Sequence, residues 1–446
     1  MPEPRRPMTR RLLPLGALGM VLLALTLAGL SLRVPGTDNV GTPERYDWLV
    51  ALLCASACVY LAAVWASLRW PPPPWAVWPM LALAVALRLP LIVSPPILSS
   101  DVYRYVWDGR VQAAGINPYR YVPDDPALAS LRDQAIFPHI NRASYAHTIY
   151  PPAAQVLYAL VGRVWPTVTG MKLAMMGWEC LAVACLWGLL AAAGLPTARL
   201  LIYLWNPLVI WSFADNGHID AMVVGLVALA LWLRVRRARW TGIVLGLAVA
   251  TKFLPAVIAP ALWRRRDGWL MAGLAALTVA ALYAIYAGVG WQVFGFLSGY
   301  GREEGLDSGA GFWLLDLLRR IGPLPRWVAA AYIGAAVTLL AALGAWIAFR
   351  RRPEGAVPVA ASAGLLMTVL TFAVSPHYPW YFAWLSVPCV LAPSPAMLWL
   401  AAAPVLIYAA GYGDSLLWSC LLYGPTLALV SFRLMNGGLV ARPDAD

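Results

Sequence analysis

Asp101 sits at the head of SSDVYRYVWDGRVQAAGINPYRY (residues 99–121), a stretch that sets two aspartates, three arginines and four tyrosines between apolar flanks. Residues three, four and seven apart share one face of a helix, so Asp101, Arg104, Tyr105 and Asp108 form one stripe. A carboxylate at the head of that stripe can accept a proton from a hydroxyl. Arg104, Tyr105 and Asp108 would then position the helix or bind substrate. The same residues also fit a salt-bridged interfacial helix whose tyrosines mark the lipid headgroup level.

Further motifs carry polar chemistry. GINPY (115–119) has the Gly, Asn and Pro of a turn. HTIYPP (147–152) places Pro at a helix start, with His147 either a ligand contact or a structural hydrogen-bonding residue. DNGHID (215–220) spaces Asp, His and Asp as a metal site would. His218 and Asp220 also fit substrate hydroxyls, and Asn216 and Asp220 are good helix N-caps. TKFLP (251–255) sets Lys252 mid-way along an apolar run, where a compact cation suits a phosphate oxygen and snorkelling reaches poorly. GYGREEGLDSG (299–309) reads as a flexible outer loop in which Arg302 can hold phosphate while Glu303 and Glu304 face solvent. SPHYPWY (375–381) offers His377 for phosphate or proton exchange, and Tyr378 and Trp380 for stacking on a sugar ring. Its alternative reading is an interfacial aromatic belt.

The elements that hold these groups follow from composition. The chain has 446 residues, is 61% hydrophobic and only 12% charged, and has a mean hydropathy of +0.68. Soluble proteins carry about 25% charged residues. The expected fold is all-α and polytopic, a single multi-span membrane domain over 1–446. Spans need about 20 apolar residues. Candidates are 12–34, 46–68, 76–95, 171–194, 197–213, 220–233, 268–289, 326–349, 356–374, 380–393, 395–411 and 416–433. With re-entrant segments this gives about 12–14 transmembrane or re-entrant helices, plus juxtamembrane helices on the outer face.

Topology follows from arginine. The run after MPEPRRPMTRR is too long for a signal peptide and lacks a small-x-small cleavage site. It is expected as an uncleaved first span with a cytoplasmic N-terminus. Alternation then puts the arginines near 5–11, 69, 199, 234–239, 264–266, 350–352 and 433 inside. The net charge of +12 is therefore topological, and nucleic acid is not an expected partner. Segment 241–263 has arginines at both ends, so a re-entrant helical hairpin with Lys252 at its turn keeps parity and faces a polar cavity. The long loop 96–170 is expected outside, all four histidines (His139, His147, His218 and His377) fall on that same face, and 150–166 is a re-entrant or juxtamembrane helix within the loop. The six cysteines fall in apolar spans as small buried hydrophobes. No Walker A loop and no GxGxxG after a strand appears, so a donor must be reached from the membrane.

Taken in order and on one face, DVYRYVWDGRVQAAGINPY, HTIYPP, GHID, TKFLP and SPHYPWY resemble the glycosyltransferase C superfamily. They look most like its bacterial polyprenyl-phosphate-mannose-dependent mannosyltransferases, over about residues 76 to 390. The resemblance implies a multi-pass enzyme of the bacterial cytoplasmic (inner) membrane with a periplasmic active face. It would move a sugar, expected to be mannose, from a polyprenyl-phosphate donor to a hydroxyl of a lipid- or glycan-linked acceptor, with inversion. By the same resemblance Asp101 is the general base, His377 lies at the active site and Lys252 lies near the donor phosphate. No tightly bound cofactor is implied. The carboxylates stand as SSD…WD rather than as the family's D-D or E-x-D, so no metal ligands are assigned and a divalent metal stays open. Membrane lipids, donor and acceptor are the expected partners. Two rival readings stand beside this one. A polyprenol-linked glycan transporter or flippase also has broken helices, although no internal repeat relates the two halves. An O-antigen ligase or polymerase would take an oligosaccharide on a polyprenyl diphosphate.

Overall fold

A computed structural model describes residues 9–350, 354–412 and 415–435. The arginines expected at positions 5, 6, 351 and 352 lie outside the described residues. The chain opens with three long apolar helices, α1 (Thr9–Ser31), α2 (Pro43–Arg69) and α3 (Val77–Ile92). The polar α4 (Asp101–Ala113) follows, then a long loop, α5 (Pro152–Val164) and α6 (Val168–Ala192). Short α7 (Leu201–Leu204) and α8 (Pro207–Ile210) lead through a π-helical turn, Trp211–Asp215, to α9 (Asp220–Val235). Around Lys252 stand α10 (Thr241–Val249) and α11 (Ala259–Leu262). Then come α12 (Gly268–Ile285), α13 (Leu297–Glu303), α14 (Trp313–Arg319), α15 (Trp327–Phe349) and α16 (Ala356–Val374). The chain ends with α17 (Ser386–Leu391), α18 (Pro395–Ala402) and α19 (Ser415–Met435), and no strand occurs among the described residues.

Eight of these helices, α1, α2, α3, α6, α12, α15, α16 and α19, are long and apolar enough to cross a membrane. The all-α, polytopic expectation therefore holds. The span expected at 197–213 is instead a chain of short turns. Pro207 supplies no N–H and biases Asn206 away from helical angles. Asn206 uses the break to cap α8, its Oδ1 accepting from Leu208 N at 2.9 Å. Prolines 379, 388 and 395 likewise break up the spans expected at 380–393 and 395–411, giving 3-10 turns and short helices from 379 to 412.

Helix α9 is buried on nearly every side, as an apolar helix at the centre of a bundle must be. It packs on α6, while α12 and α15 leave most of their length exposed. Segment 241–262 doubles back beside α9. At one end Arg234 Nε donates to Leu262 O at 2.8 Å. There Arg237 pairs with Glu354, and Arg265 donates to Phe349 O at 2.6 Å. At the other end Ala153 N donates to Ala250 O at 2.9 Å, beside Lys252. Fourteen residues of α9 separate Asp220 from Arg234, about 21 Å of helix. Polar chemistry thus gathers at two opposite ends of α9. Helices α4 and α5 lie backbone to backbone: a Cβ on Gly109 would stand 2.3 Å from Tyr158 O, and one on Gly162 2.3 Å from Gly109 O.

Candidate active site

A cavity of about 320 Å³ opens where α4, the loop 141–151, the start of α9, the Lys252 turn, α13 and the 378–381 segment meet. This volume is at the small end of the range for ligand pockets. Asp101 is the first residue of α4, so its carboxylate enters the cavity from a helix N-terminus, which favours the anion. Asn141 Nδ2 donates to Asp101 Oδ1 at 3.0 Å and to Ser100 Oγ at 3.3 Å. Burial pushes the Asp101 carboxyl above its ordinary range, and the Asn141 hydrogen bond with the charges of Lys252 and Arg142 pulls it back. The result is a partly exposed carboxylate of raised basicity, directed at a cavity.

Across the cavity Lys252 Nζ donates to Asp220 Oδ1 at 2.7 Å and lies 3.4 Å from the centroid of the Tyr381 ring. Asp220 Oδ2 is buried with no partner among the described residues. An ammonium has three donors, so with one on Asp220 and the Tyr381 ring against it Lys252 can still donate to an incoming oxyanion. Arg142 adds a second cation. Its backbone takes φ +55°, and its Nε donates to Glu303 Oε2 at 2.7 Å. Tyr145 donates to the other oxygen of Glu303 at 3.0 Å. The wall is aromatic. Tyr378 stacks on Trp380 at 4.9 Å, Trp380 on His218 at 3.8 Å, and Tyr300 bonds Tyr381 at 3.1 Å.

Two buried networks hold Asp101 in place. Ile97 N donates to Asp215 Oδ2 and Leu98 N to Asn216 Oδ1, both at 3.0 Å, so the DNGHID segment grips the chain just ahead of Asp101. Arg33 neutralises Asp215 at 2.8 Å, and Lys172 Nζ reaches Leu91 O at 3.1 Å and Ser94 O at 2.6 Å. Behind α4, Arg104 donates to Asp108 Oδ1 at 2.8 Å and to Ala146 O at 3.1 Å. Gln155 ties the other oxygen of Asp108 to Thr148 with two bonds of 2.9 Å.

The structure brings Asp101, Arg104, Tyr105, His147, Asp220, Lys252, Tyr378 and Trp380 to one cavity. Asp108, His218, His377 and Arg302 are not among its lining. Asp108 spends both oxygens on Arg104 and Gln155. His218 is fully buried one layer behind, its Nδ1 3.7 Å from Asp101 Oδ2 and 3.5 Å from the Tyr105 hydroxyl. His377 bridges Glu304 Oε2 and Gly311 O, each at 3.1 Å, and does not line the cavity. Arg302 is exposed at the end of α13. Glu303 and Glu304, expected in solvent, are both engaged, Glu303 at the end of helix α13 and Glu304 at the start of the turn that follows it. The Asp, His and Asp of DNGHID diverge to Arg33, Trp380 and Lys252. Among the described residues no three His, Cys, Asp or Glu side chains cluster to hold a metal ion. Tyr150, Tyr300 and Tyr381, inside motifs already noted but not singled out, also line the cavity, as do Asn141 and Arg142, loop residues some 40 positions from Asp101 that leave no periodic signal.

Eight helices of membrane-crossing length and apolarity make this a polytopic membrane protein, and it carries a cavity lined by ionisable groups. Residues 13–296 match one family model, and the chain belongs to that family, described as alpha-(1->6)-mannopyranosyltransferase, N-terminal domain. Alpha-(1->6)-mannopyranosyltransferase A of Mycobacterium tuberculosis is 26% identical over 337 residues, 68% of this chain and 63% of that protein. The protein of the same name in Corynebacterium glutamicum is 28% identical over 189 residues, 39% of this chain and 36% of its own. A polyprenol-phosphate-mannose-dependent alpha-(1-2)-phosphatidylinositol pentamannoside mannosyltransferase of Mycolicibacterium smegmatis is 26% identical over 316 residues, 66% of this chain and 65% of its own. The chain thus aligns with less than two thirds of each of these relatives. No solved structure matches the chain.

Proposed function

We propose that this protein transfers mannose from a polyprenyl-phosphate donor to the hydroxyl of a lipid- or glycan-linked acceptor, with inversion, on the periplasmic face of a bacterial inner membrane. The observation that carries the proposal is a junction. Phe253, next to Lys252, lines both the ionisable cavity and an apolar groove of about 920 Å³ between α10, α12 and residues 287–294. A donor with a sugar, one phosphate and a long hydrocarbon chain needs those three environments in that order. The groove follows α12 from Met271 to Ala284, about 20 Å. The family described above and the donor named for the Mycolicibacterium relative support the same substrate class.

In this reading Asp101 removes the acceptor proton as the oxygen attacks the anomeric carbon. Polyprenyl phosphate leaves from the opposite face. Charge grows on the leaving phosphate, so the fixed cations Lys252 and Arg142 stabilise the transition state more than the ground state. Arg142 takes the place that the sequence offered to Arg302. Tyr378, stacked over the buried Trp380, gives the sugar an aromatic surface.

The test is transfer of radiolabelled mannose from polyprenyl-phosphate-mannose in membranes bearing wild type or Asp101→Asn. Transfer by wild type and a loss of about a hundredfold or more in a stably inserted Asp101→Asn protein is the expected result. Equal transfer by both removes Asp101 from the mechanism. Absence of transfer from any polyprenyl-phosphate sugar overturns the reading.

A further inference from the structure

At the end of α9 remote from the active-site cavity lies a second, smaller cavity of about 180 Å³. Arg234, Arg237, Arg239 and Arg264 line it, against a single acidic lining residue, Asp267. Leu262, Leu270 and Met271 form its apolar floor. The arginines come from the last turn of α9, the connection after it and the connection after α11, which the returning segment 241–262 brings together. This is more than a scatter of surface charge. Arg234 is buried and fixed by its Nε bond to Leu262 O at 2.8 Å. Arg237 holds a left-handed backbone, φ +57°, at the turn that carries it. Arg264 is held by Asp267 at 2.9 Å. Positive groups are crowded here with too few carboxylates to match them, although Arg237 also meets Glu354 from outside the lining.

The depth of this cavity is marked by tryptophan. Trp240 follows Arg239 and is 65% exposed, and Trp269, 78% exposed, packs edge-on against Trp263 with ring centroids 5.0 Å apart. Exposed tryptophans beside arginines mark the headgroup level of a bilayer. Met271 lines both this cavity and the apolar groove, so the floor continues into a surface that suits hydrocarbon. A phosphate at this level, attached to acyl chains, meets cations and apolar wall together. Arginine suits it because its planar donors pair with phosphate oxygens in twos.

We infer that this arginine cavity is a binding site for the phosphate of an anionic phospholipid, in the leaflet opposite the active-site cavity. The site does not depend on the transferase reading. Its role is structural and regulatory in kind: the ligand would hold together the ends of α9, α11 and α12, and so the base of the hairpin whose tip carries Lys252.

The test uses the purified full-length chain in neutral detergent, followed by thermal unfolding during titration with phosphatidylglycerol, phosphatidylcholine or inorganic phosphate. The variants are wild type, the double variant Arg239→Gln/Arg264→Gln, and Arg69→Gln as a charge-loss control at the end of another helix. Arg234 is left intact because it fastens the fold. Stabilisation of wild type by phosphatidylglycerol and not by phosphatidylcholine is expected. The double variant should need about thirtyfold more phosphatidylglycerol for half the effect, from two lost arginine contacts, with Arg69→Gln behaving as wild type. Stabilisation by inorganic phosphate that displaces the lipid effect would keep the anion site and assign it to a soluble phosphate. An equal response of wild type and double variant, an equal response to both lipids, or the same loss in Arg69→Gln would overturn the site.

Discussion

Asn141 and Asp101, 40 residues apart in the chain, are joined by one hydrogen bond of 3.0 Å from the Asn141 amide to Asp101 Oδ1. That bond favours the carboxylate over the acid and opposes the effect of burial, which favours the acid. The proposed base role requires Asp101 to be ionised. The acid limb of a kcat/KM profile should therefore lie above the ordinary carboxylate range. Asn141→Ala removes a stabiliser of the anion, so the Asp101 pKa rises further and the limb moves to higher pH. Activity at low pH should fall more than activity at the optimum. A pH–rate profile of both proteins checks this, and a limb that stays in place would detach Asn141 from the base.

Arg33 and Asp215 form a buried pair that holds the segment ahead of Asp101. Arg33→Met strands a buried carboxylate, and breaking such a pair costs about 3–5 kcal/mol. Arg33→Met/Asp215→Asn removes both charges, and the Asn carbonyl can still accept from Ile97 N. The double variant should regain a large part of the lost thermal stability and of the transfer rate. Detergent-solubilised unfolding and the mannose-transfer assay measure the two effects. Equal damage in single and double variants would show that the pair is uncoupled.

The bundle was legible because uninterrupted apolar runs of span length have few alternatives to helix in lipid. Lys252 was legible for the same reason: a lysine beside Pro255 inside an apolar run has to meet a polar cavity. What composition hides is direction. Tyr378 and Trp380 face the cavity, while His377, their neighbour, turns to Glu304. Arg142 and Arg302 both lie in polar segments outside the long apolar helices, yet only Arg142 lines the cavity, because Glu303 and its own left-handed backbone aim it there. Such choices belong to tertiary packing, which has no period in the sequence.

His377 should therefore matter to stability more than to catalysis. Its hydrogen bond to Glu304 raises its pKa above the usual 6.5. A raised histidine contributes stability that is fully present below pH 6.5 and is lost as the pH climbs through the folded value. The side chain is 46% exposed, so solvent screening holds the contribution below about 1 kcal/mol. Glu304→Gln should flatten that part of the stability–pH curve. His377→Asn should change transfer by less than about threefold, since the imidazole lies off the cavity lining. A loss as deep as that of Asp101→Asn would return His377 to the mechanism.

Lys252 is the sharper test of the donor site. Lys252→Gln keeps a hydrogen-bond donor for Asp220 but removes the positive charge that the proposed mechanism sets against the leaving phosphate. If the charge acts on the transition state, kcat should fall by about a hundredfold or more, with a smaller change in KM. Lys252→Gln/Asp220→Asn separates this effect from the carboxylate left behind. Removing the unpaired charge of Asp220 should restore thermal stability without restoring kcat. Arg302→Gln, at an exposed position, should leave both constants within about threefold of wild type. Steady-state kinetics with polyprenyl-phosphate-mannose decide the matter. Recovery of kcat in the double variant would mean that Lys252 only neutralises Asp220, and the phosphate would then have to be held by Arg142.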